Sequence, residues 1–449
     1  MILKPFIAKL EKIPLFKKYI TPLSASSTFR RLANGAFWGG IAGIVVRGFT
    51  VIASFFLARL LGQEVFGEYG VINSTAAMIS GLAGLGIGTT VTKHVAELRN
   101  KDPNRAGRIL ALSTGMTISS AALYGIIFIG IAPWLATKTL AAPHLAPMLQ
   151  ISAVTVALGV INSVQTCSLA GCEVFKKSAI TNIICSSVQT TLVLLGALFW
   201  QLSGAITTLA ISMTFTVALT RWVVKKEWFR FGIKLNWRES WNERKVLLNF
   251  SLPTFLSGLV VGPVMWVCNA LLANQPDGYA QLGIYNAAFQ WQIAVQFLPS
   301  LIGTAVLPVM SERYGNNDIR GSIRIMTGMM MVAAIVVTPI SLIICICGKW
   351  IMAGYGESFI SGISVLYLSV LTGVLFAIMM PVGQSLAASG KMWINFIMNT
   401  GWGIAMVLFS WFFVKWGAEG LAGSKLLAYL LYSAWTFCYA FLIMKNKAK

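Results

Sequence analysis

One apolar stretch with a charge near its centre limits what this chain can fold into. Residues 37–61 read FWGGIAGIVVRGFTVIASFFLARLL, and about 20 apolar residues are enough to cross a bilayer core of ~30 Å. Arg47 lies ten residues into this stretch, which is about 15 Å along a helix axis and too deep for the side chain to reach the membrane surface easily. An arginine at that depth costs about 2.5–3.5 kcal/mol on insertion scales. It therefore needs a polar environment inside the protein.

The helical neighbours of Arg47 suggest what that environment is. Gly40, Gly43, Thr50 and Ser54 lie three, four or seven residues away, so they share its helix face. We interpret this face as a polar, cationic stripe that lines an internal cavity. The alternative is that Arg47 bonds the carbonyl groups of a neighbouring helix and has only a structural role.

The rest of the chain predicts an all-α polytopic membrane protein. Hydrophobic residues make up 57% of the 449 residues and charged residues 11%, against about 25% charged in soluble domains. The basic N-terminus continues into the first span without a small-residue cleavage site, so we expect no cleaved signal peptide. About twelve spans are predicted, at 37–61, 69–92, 109–133, 148–171, 179–200, 203–224, 247–272, 283–309, 325–348, 359–389, 393–414 and 421–444.

The net charge of +21 follows the positive-inside rule rather than indicating a nucleic-acid partner. With the N-terminus in the cytoplasm, 29 of the 35 Lys and Arg residues fall on the cytoplasmic side and four on the outside. Both termini are therefore predicted to be cytoplasmic. The basic segment 1–36 is either amphipathic, lying on anionic lipids, or a disordered tail.

The spans divide into two six-helix lobes. The longest internal polar connection separates six spans from six, and weak similarities relate the two halves, including Tyr69 with Tyr285 and Gly171 with Gly390. An even number of spans per half gives parallel repeats, a transporter architecture with its site between the halves. The predicted regions are the N-terminal segment 1–36, the N-lobe 37–224, the linker 225–246, the C-lobe 247–444 and the basic tail 445–449.

The polar residues within the spans favour an anionic cargo. None of the fourteen acidic residues falls deep in a predicted span, whereas a guanidinium pairs naturally with phosphate or pyrophosphate. Amides and aromatic rings along the eighth span suit sugars, although hydrogen bonding between helices explains them equally well. The predicted substrate-binding residues are Arg47, Arg59, Asn73, Asn286, Gln290, Gln292 and Gln296.

Three further residues are candidates for ion coupling or gating. Glu68 and Glu97 lie at opposite edges of the second span, and Lys425 lies near the outer end of the last span. We expect Lys425 to form an interfacial pair with Glu419 rather than to face the cavity. The glycines between Gly84 and Gly88 are expected to lie inside the second span and to allow close helix packing.

No pattern indicates an enzyme or a metal site. The seven cysteines have no ligand spacing, the two histidines are far apart, and no nucleophile–base arrangement or phosphate-binding loop occurs. No cofactor is expected beyond a coupling H⁺ or Na⁺.

Two runs resemble a known family. ARLLGQEVFGEYGVINS (residues 58–74) and GLAGLGIGTTVTKHVAE (residues 81–97) are similar to the opening of Wzx-type polysaccharide and O-antigen flippases, which belong to the multidrug/oligosaccharidyl-lipid/polysaccharide (MOP) exporter superfamily. This resemblance implies V-shaped lobes, alternating access and a cationic central cavity, which Arg47 matches by position. The implied cargo is an undecaprenyl-pyrophosphate-linked oligosaccharide, carried across the bacterial inner membrane. Implied partners are a polysaccharide polymerase and other glycan-assembly membrane proteins.

Two alternatives remain at this point. The first is a MATE-like antiporter of small drugs or metabolites, which transport of a cationic dye would reveal. The second is a membrane scaffold for glycan assembly that transports nothing.

Overall fold

The computed structural model describes residues 27–244, 259–315, 318–389 and 392–447. Within these ranges the chain forms long helices joined by short turns, with no strand. In chain order the α-helices are α1 (Ser27–Ala83), α2 (Ile87–Leu98), α3 (Pro103–Trp134), α4 (Ala146–Gly171), α5 (Phe175–Arg230), α6 (Val261–Ala273), α7 (Gly278–Gly315), α8 (Ile319–Ile346), α9 (Gly348–Tyr355), α10 (Ile363–Ala388), α11 (Met392–Phe413) and α12 (Gly417–Lys447).

Several helical segments are too long for one membrane crossing. Seven segments of the described chain are long and apolar enough to cross a membrane, and three of them have 47, 56 and 47 residues. A helix of 56 residues measures about 84 Å, whereas a bilayer core is ~30 Å. Each long segment is therefore two crossings, so the seven segments give ten. The 38-residue α7 is long enough for another, and α6, with 13 described residues, covers the end of the predicted span 247–272.

The reversals inside these long segments have local causes. In α1 the turn lies at Gly62, whose φ of 78° and ψ of 171° interrupt the helix. Only glycine adopts this conformation without a steric penalty. In α5 the turn lies at Trp200 and Gln201, where the φ of Gln201 is 48°. The two arms of each helix then run antiparallel.

The second predicted span is not continuous. Residues 84–86 form a turn between α1 and α2, with φ of 47° at Leu85 and 65° at Gly86. Leu85 and Gly86 therefore break the helix, and the expectation of a continuous helix through this glycine run was wrong. Gly88, at the start of α2, does pack closely against Cys167 of α4.

The crossings form two lobes that share a core at one end of the bundle only. The N-lobe comprises α1–α5 and the C-lobe α6–α12. We call the end with the loops 99–102, 172–174 and 231–244 the basic end, and the opposite one the far end. One large hydrophobic cluster joins both lobes and includes Leu57, Phe66, Leu145, Tyr285 and Tyr355.

At the basic end each lobe has its own, smaller core. In the N-lobe this core includes Val91, Leu110 and Trp228, and in the C-lobe it includes Met310 and Met326. The hydrophobic core is therefore continuous between the lobes at the far end and divided at the basic end, although α1 and α7 still pack on each other at Gly43 and Phe297. Residues 1–26 of the predicted segment 1–36 and residues 448–449 of the predicted tail 445–449 lie outside the described residues.

Candidate functional site: a polar cavity between the lobes

A cavity of about 1230 Å³ lies between the lobes. Its described lining comes from both arms of α1, from α4, from both arms of α5, and from α6 and α7. At the basic end it reaches Ala170, Phe175 and Ser178, and towards the far end it reaches Leu57 and Phe66. Binding sites for small molecules usually measure about 300–1,000 Å³, so this cavity suits a larger ligand.

Arg47 is the single charged residue among the described residues that line the cavity. Its guanidinium carbon lies 6.0 Å from the centre of the Phe297 ring on α7. Within the described chain it forms no ion pair and donates no hydrogen bond to a backbone carbonyl. The structural alternative for Arg47 requires such carbonyl bonds, so the geometry favours the cavity interpretation.

The predicted polar face of the first span is largely the cavity wall. Gly43, Thr50 and Ser54 line the cavity together with Arg47. Gly40 does not, and it instead faces Leu301 of α7. The spacing of small and polar residues around Arg47 therefore identified this wall correctly at three of four positions.

Three of the predicted amide residues line the cavity and two do not. Asn73, Asn286 and Gln290 are part of its wall. Gln292 is buried, and its backbone faces Gly373 of α10. Gln296 lies outside the described lining. Asn286 and Gln290 lie about 40° apart around the helix, whereas Gln292 lies about 160° from Gln290, on the side that packs against α10.

The sequence interpretation missed the contribution of α5. Its first arm presents Ser178, Asn182, Ser186 and Gln189 to the cavity. The spacing of four, four and three residues places them on one helix face, a signal as regular as that around Arg47. Asn269 and Trp266 of α6 were also missed, since they lie singly among apolar residues.

Several lining amides have polar atoms without partners. Within the described chain, the side-chain oxygens of Asn162 and Asn269 and the side-chain nitrogen of Asn286 are buried and make no hydrogen bond. An unpaired buried polar atom is unfavourable by about 1–3 kcal/mol. These atoms belong to residues of the cavity wall, and each lacks a partner among the described residues.

The far end of the cavity is closed by hydrogen bonds between the lobes. Asn274 donates to the Thr139 carbonyl and Tyr279 to the Leu140 carbonyl, both at 2.7 Å. Gln63 donates to the Ala280 carbonyl at 3.1 Å. Arg59 donates to the Gly354 carbonyl at 2.6 Å. Arg59 is therefore placed at the exposed far end of the interface and not in the cavity lining.

Aromatic rings complete this closure. Phe66 of the N-lobe packs with Tyr355 and Phe359 of the C-lobe at ring-centre distances of 6.5 and 6.2 Å. The ring of Phe55 lies 4.2 Å from that of Tyr355, and the Tyr355 hydroxyl hydrogen-bonds that of Ser54 at 3.1 Å. The three rings of Phe66, Tyr355 and Phe359 are buried, and they separate the cavity from the far end.

The backbones of the two lobes also come close at the far end. A methyl group on Gly67 of α1 would overlap the Tyr279 carbonyl of α7, and one on Gly283 would overlap the Gln63 carbonyl. Because backbone atoms cannot move aside as side chains do, this contact needs glycine at both positions.

Among the described residues, no hydrogen bond or ion pair at the basic end joins the two lobes. All ion pairs found among the described residues join groups of the same lobe or of the linker that follows α5. Arg99 pairs with Glu173 at 3.0 Å, Arg105 with Glu243 at 3.0 Å, and Lys177 with the buried Glu227. The hydrogen bond from Arg105 to Glu243 raises the pKa of that guanidinium.

The candidate coupling acids lie outside the described cavity lining. Glu68 is buried near the far end and hydrogen-bonds His144 at 2.6 Å. Glu97 is exposed at the basic end and lies 3.5 Å from His94. Partial burial lowers the pKa of His94, an effect that the nearby Glu97 opposes.

Lys425 is buried, contrary to the expected interfacial pair. Only 3% of its surface is exposed, and its ammonium group donates to the Tyr285 hydroxyl at 3.3 Å. Glu419 instead accepts a hydrogen bond from Ser364. Lys425 lies eight residues after Gly417, the first residue of α12, which is about 12 Å along the helix. At that depth α7 covers the side chain.

Comparison with solved structures shows which fold this is. The chain is similar to a multidrug resistance MATE family transporter of the MOP superfamily in an inward-facing conformation, with a TM-score of 0.72 and 14% identity over 89% of this chain and 94% of the other. For the outward-facing conformation of such a transporter the TM-score is 0.64, with 16% identity over 93% and 96% of the two chains. The fold is therefore the all-α fold of the MOP superfamily, with two six-helix lobes.

Comparison with sequences identifies the family. The chain is 26% identical over 185 residues to the EPS I polysaccharide export inner membrane protein EpsE of Ralstonia nicotianae, a match that covers 40% of this chain and 42% of the relative. The family model described as "Polysaccharide biosynthesis protein" matches residues 32–313, which is more than half of the chain. The chain therefore belongs to this family of polysaccharide biosynthesis proteins.

Proposed function

We propose that this protein is a flippase for a polyprenyl-pyrophosphate-linked oligosaccharide, which it moves from the inner to the outer leaflet of the bacterial inner membrane by alternating access. The observation that carries the proposal is the cavity between the lobes, in which Arg47 is the single charge among the described lining residues. A cavity whose described lining has one unpaired guanidinium and no acid attracts an anion and repels a cation.

The cavity matches the parts of such a cargo. Arg47 would bind the pyrophosphate with its fork of donors, and hydrogen bonds to charged groups contribute about 1.5–3 kcal/mol each. Asn162, Asn269 and Asn286, with their unpaired polar atoms, would bind sugar hydroxyls. The polyprenyl chain would stay in the lipid at the gap between the lobes.

The distribution of charge gives the proposed orientation. The loops of the basic end carry most of the Lys and Arg residues, so this end is assigned to the cytoplasm. In the conformation described here the far end is closed, which makes it the state that would load cargo from the inner leaflet. The N-lobe (37–224) and the C-lobe (247–444) would rock against each other, with 1–36 lying on anionic lipids.

The first experiment asks on which leaflet lipid-linked sugar collects after deletion of the gene. We expect loss of glycan from the outer surface, with complete lipid-linked units accessible only from the cytoplasmic face. Arg47→Ala should abolish export without loss of protein from the membrane, and Arg47→Lys should retain part of it. Export that persists with Arg47→Ala, or that is restored by Arg47→Glu, would contradict an anion site.

A second candidate is an antiporter of small molecules, which the shared fold with multidrug MATE transporters favours. The lining argues against cationic drugs, since a buried carboxylate is absent from its described part. Export of a cationic dye that depends on this gene, together with normal surface glycan, would establish the second candidate. Copurification with a polymerase and other glycan-assembly proteins would support the proposed partners, and without leaflet accumulation it would favour a scaffold.

A further inference from the structure

Lys425 lies directly behind the cavity wall. Its ammonium nitrogen is 3.3 Å from the Tyr285 hydroxyl and 4.0 Å from the centre of the Phe289 ring. Tyr285 and Phe289 both line the cavity on their other side. Two side chains therefore separate a buried lysine from the space through which the cargo would pass.

No carboxylate neutralises this lysine within the described residues. The titratable groups near it are the Tyr285 hydroxyl on α7, the Cys268 thiol on α6 and Tyr429 one turn further along α12. The Cys268 thiol is itself held by Ser410 of α11 at 3.3 Å. Helices α10 and α11, which also pack on α12, carry no Asp, Glu, Lys, Arg or His.

Such a site suits the uncharged amine better than the ammonium ion. Removing an ammonium ion from water without an opposite charge is strongly unfavourable. One hydroxyl and the face of one aromatic ring offset part of that cost. The charged form is stabilised if Tyr285 and Phe289 move aside and let the lysine reach the cavity. Exposure of Lys425 and its protonation are therefore linked.

We propose that Lys425 is the proton-binding site that couples the movement of the lobes to a proton gradient. This proposal rests on the transport function proposed above, and it assigns the coupling step to one residue of the C-lobe. The amine is uncharged when the far end is closed. Binding one proton converts it to the ammonium ion and favours the state in which the far end is open. Arg47 cannot serve this role, because a guanidinium does not lose its proton in proteins.

The test measures the conformation directly and needs no cargo. Spin labels are attached through Thr137→Cys on the N-lobe and Ser358→Cys on the C-lobe, two exposed far-end positions. The exposed Cys438 and the half-buried Cys167, Cys345 and Cys347 are replaced by Ser. The distance between the labels is measured in lipid nanodiscs from about pH 9 to pH 5, a range that includes the pKa of about 5–6 documented for buried lysines.

In the parent protein we expect the population with a long label distance to increase as the pH falls, by up to about tenfold per pH unit, the limit for one proton. Lys425→Met should remove this dependence and keep the far end closed throughout. Lys425→Arg should favour the open population even at high pH. His144→Gln is the matched control, because His144 bonds Glu68 within the N-lobe, and the pH response should survive it.

A pH response that is unchanged in Lys425→Met, or that is absent from the parent protein, would overturn the proposal. A structural lysine would only lower the thermal stability on substitution, without altering the pH response. The leaflet experiment on Arg47 variants is independent of these distances. Flipping with no pH response therefore rejects the coupling site alone.

Discussion

The two ends of the interface between the lobes are held differently. At the far end, side chains of each lobe bond backbone carbonyls of the other, as Arg59 does with Gly354 and Tyr279 with Leu140. At the basic end, acids such as Glu227 and Glu243 pair with cations of their own lobe or linker. Ion pairs therefore join groups within one lobe or its linker, whereas hydrogen bonds to backbone carbonyls and aromatic contacts hold the two lobes together.

The free energies of the far-end contacts are of a size that allows the far end to open and close repeatedly. The five hydrogen bonds between the lobes at the far end contribute about 0.5–1.5 kcal/mol each, or roughly 2.5–7.5 kcal/mol together. Moving a two-state equilibrium from 1:99 to 99:1 requires about 5.5 kcal/mol. Contacts of that total size can be broken and remade in each cycle. Glu227 is buried but pairs with the half-exposed Lys177 of its own lobe, so this pair need not break when the lobes move.

The largest effect is expected from a methyl group placed in the far-end contact. In Gly67→Ala the new methyl group would overlap the backbone carbonyl of Tyr279, so the far end cannot close. A clash of about 3 kcal/mol reduces the closed population roughly a hundredfold, and export should fall accordingly. The distance between labels on Thr137→Cys and Ser358→Cys should lengthen.

Gly81→Ala is the matched control, because it lies on the same arm of α1 with nothing within 4 Å of the added methyl group. It should leave both export and the label distance unchanged. Equal loss of export in Gly67→Ala and Gly81→Ala would show that the far-end contact is not the cause of the loss.

The next effect concerns the aromatic closure. Tyr355→Ala removes a buried ring that packs on Phe55 at 4.2 Å, and aromatic-to-alanine changes cost about 3–5 kcal/mol. A thiol introduced in the cavity by Asn73→Cys should then react at least about tenfold faster with an impermeant reagent added from the far side. Tyr355→Phe keeps the ring and should change this rate little. Equal rates in the two variants would rule out the ring as the seal.

A smaller effect is expected at the edge of the same end. Arg59→Ala removes one hydrogen bond, from an exposed side chain to the Gly354 carbonyl, with a net value of about 1 kcal/mol. Export should fall by less than about fivefold, in contrast to its loss in Arg47→Ala. A loss as complete as that of Arg47→Ala would mean that Arg59 also handles the cargo.

The sequence predicted the parts of this interface that depend on local pattern. Twelve crossings follow from hydrophobic length, and the cavity face around Arg47 follows from helical spacing. The turn at residues 84–86 was missed because glycines in an apolar run serve packing or a break equally well. The burial of Lys425 was missed because it depends on Tyr285 and Phe289, which lie some 140 residues away in the chain.

The smallest effect is expected for an ion pair at the basic end of the C-lobe. Asp318 pairs with Arg313 and caps α8 by accepting from the Gly321 backbone at 2.8 Å, and these hydrogen bonds lower its pKa. A carboxylate whose pKa is lowered by folding stabilises the folded state. This stabilisation is fully present above the ordinary pKa of Asp and is lost only as the pH falls below that pKa. Asp318→Asn should therefore lower the unfolding temperature slightly, by the same amount from about pH 8 to pH 5.

The far-end label distances of Asp318→Asn should match those of the parent protein, because the pair of Asp318 with Arg313 lies within one lobe. A changed distance would show that basic-end pairs also control the far end, and the contrast between the two ends would fail.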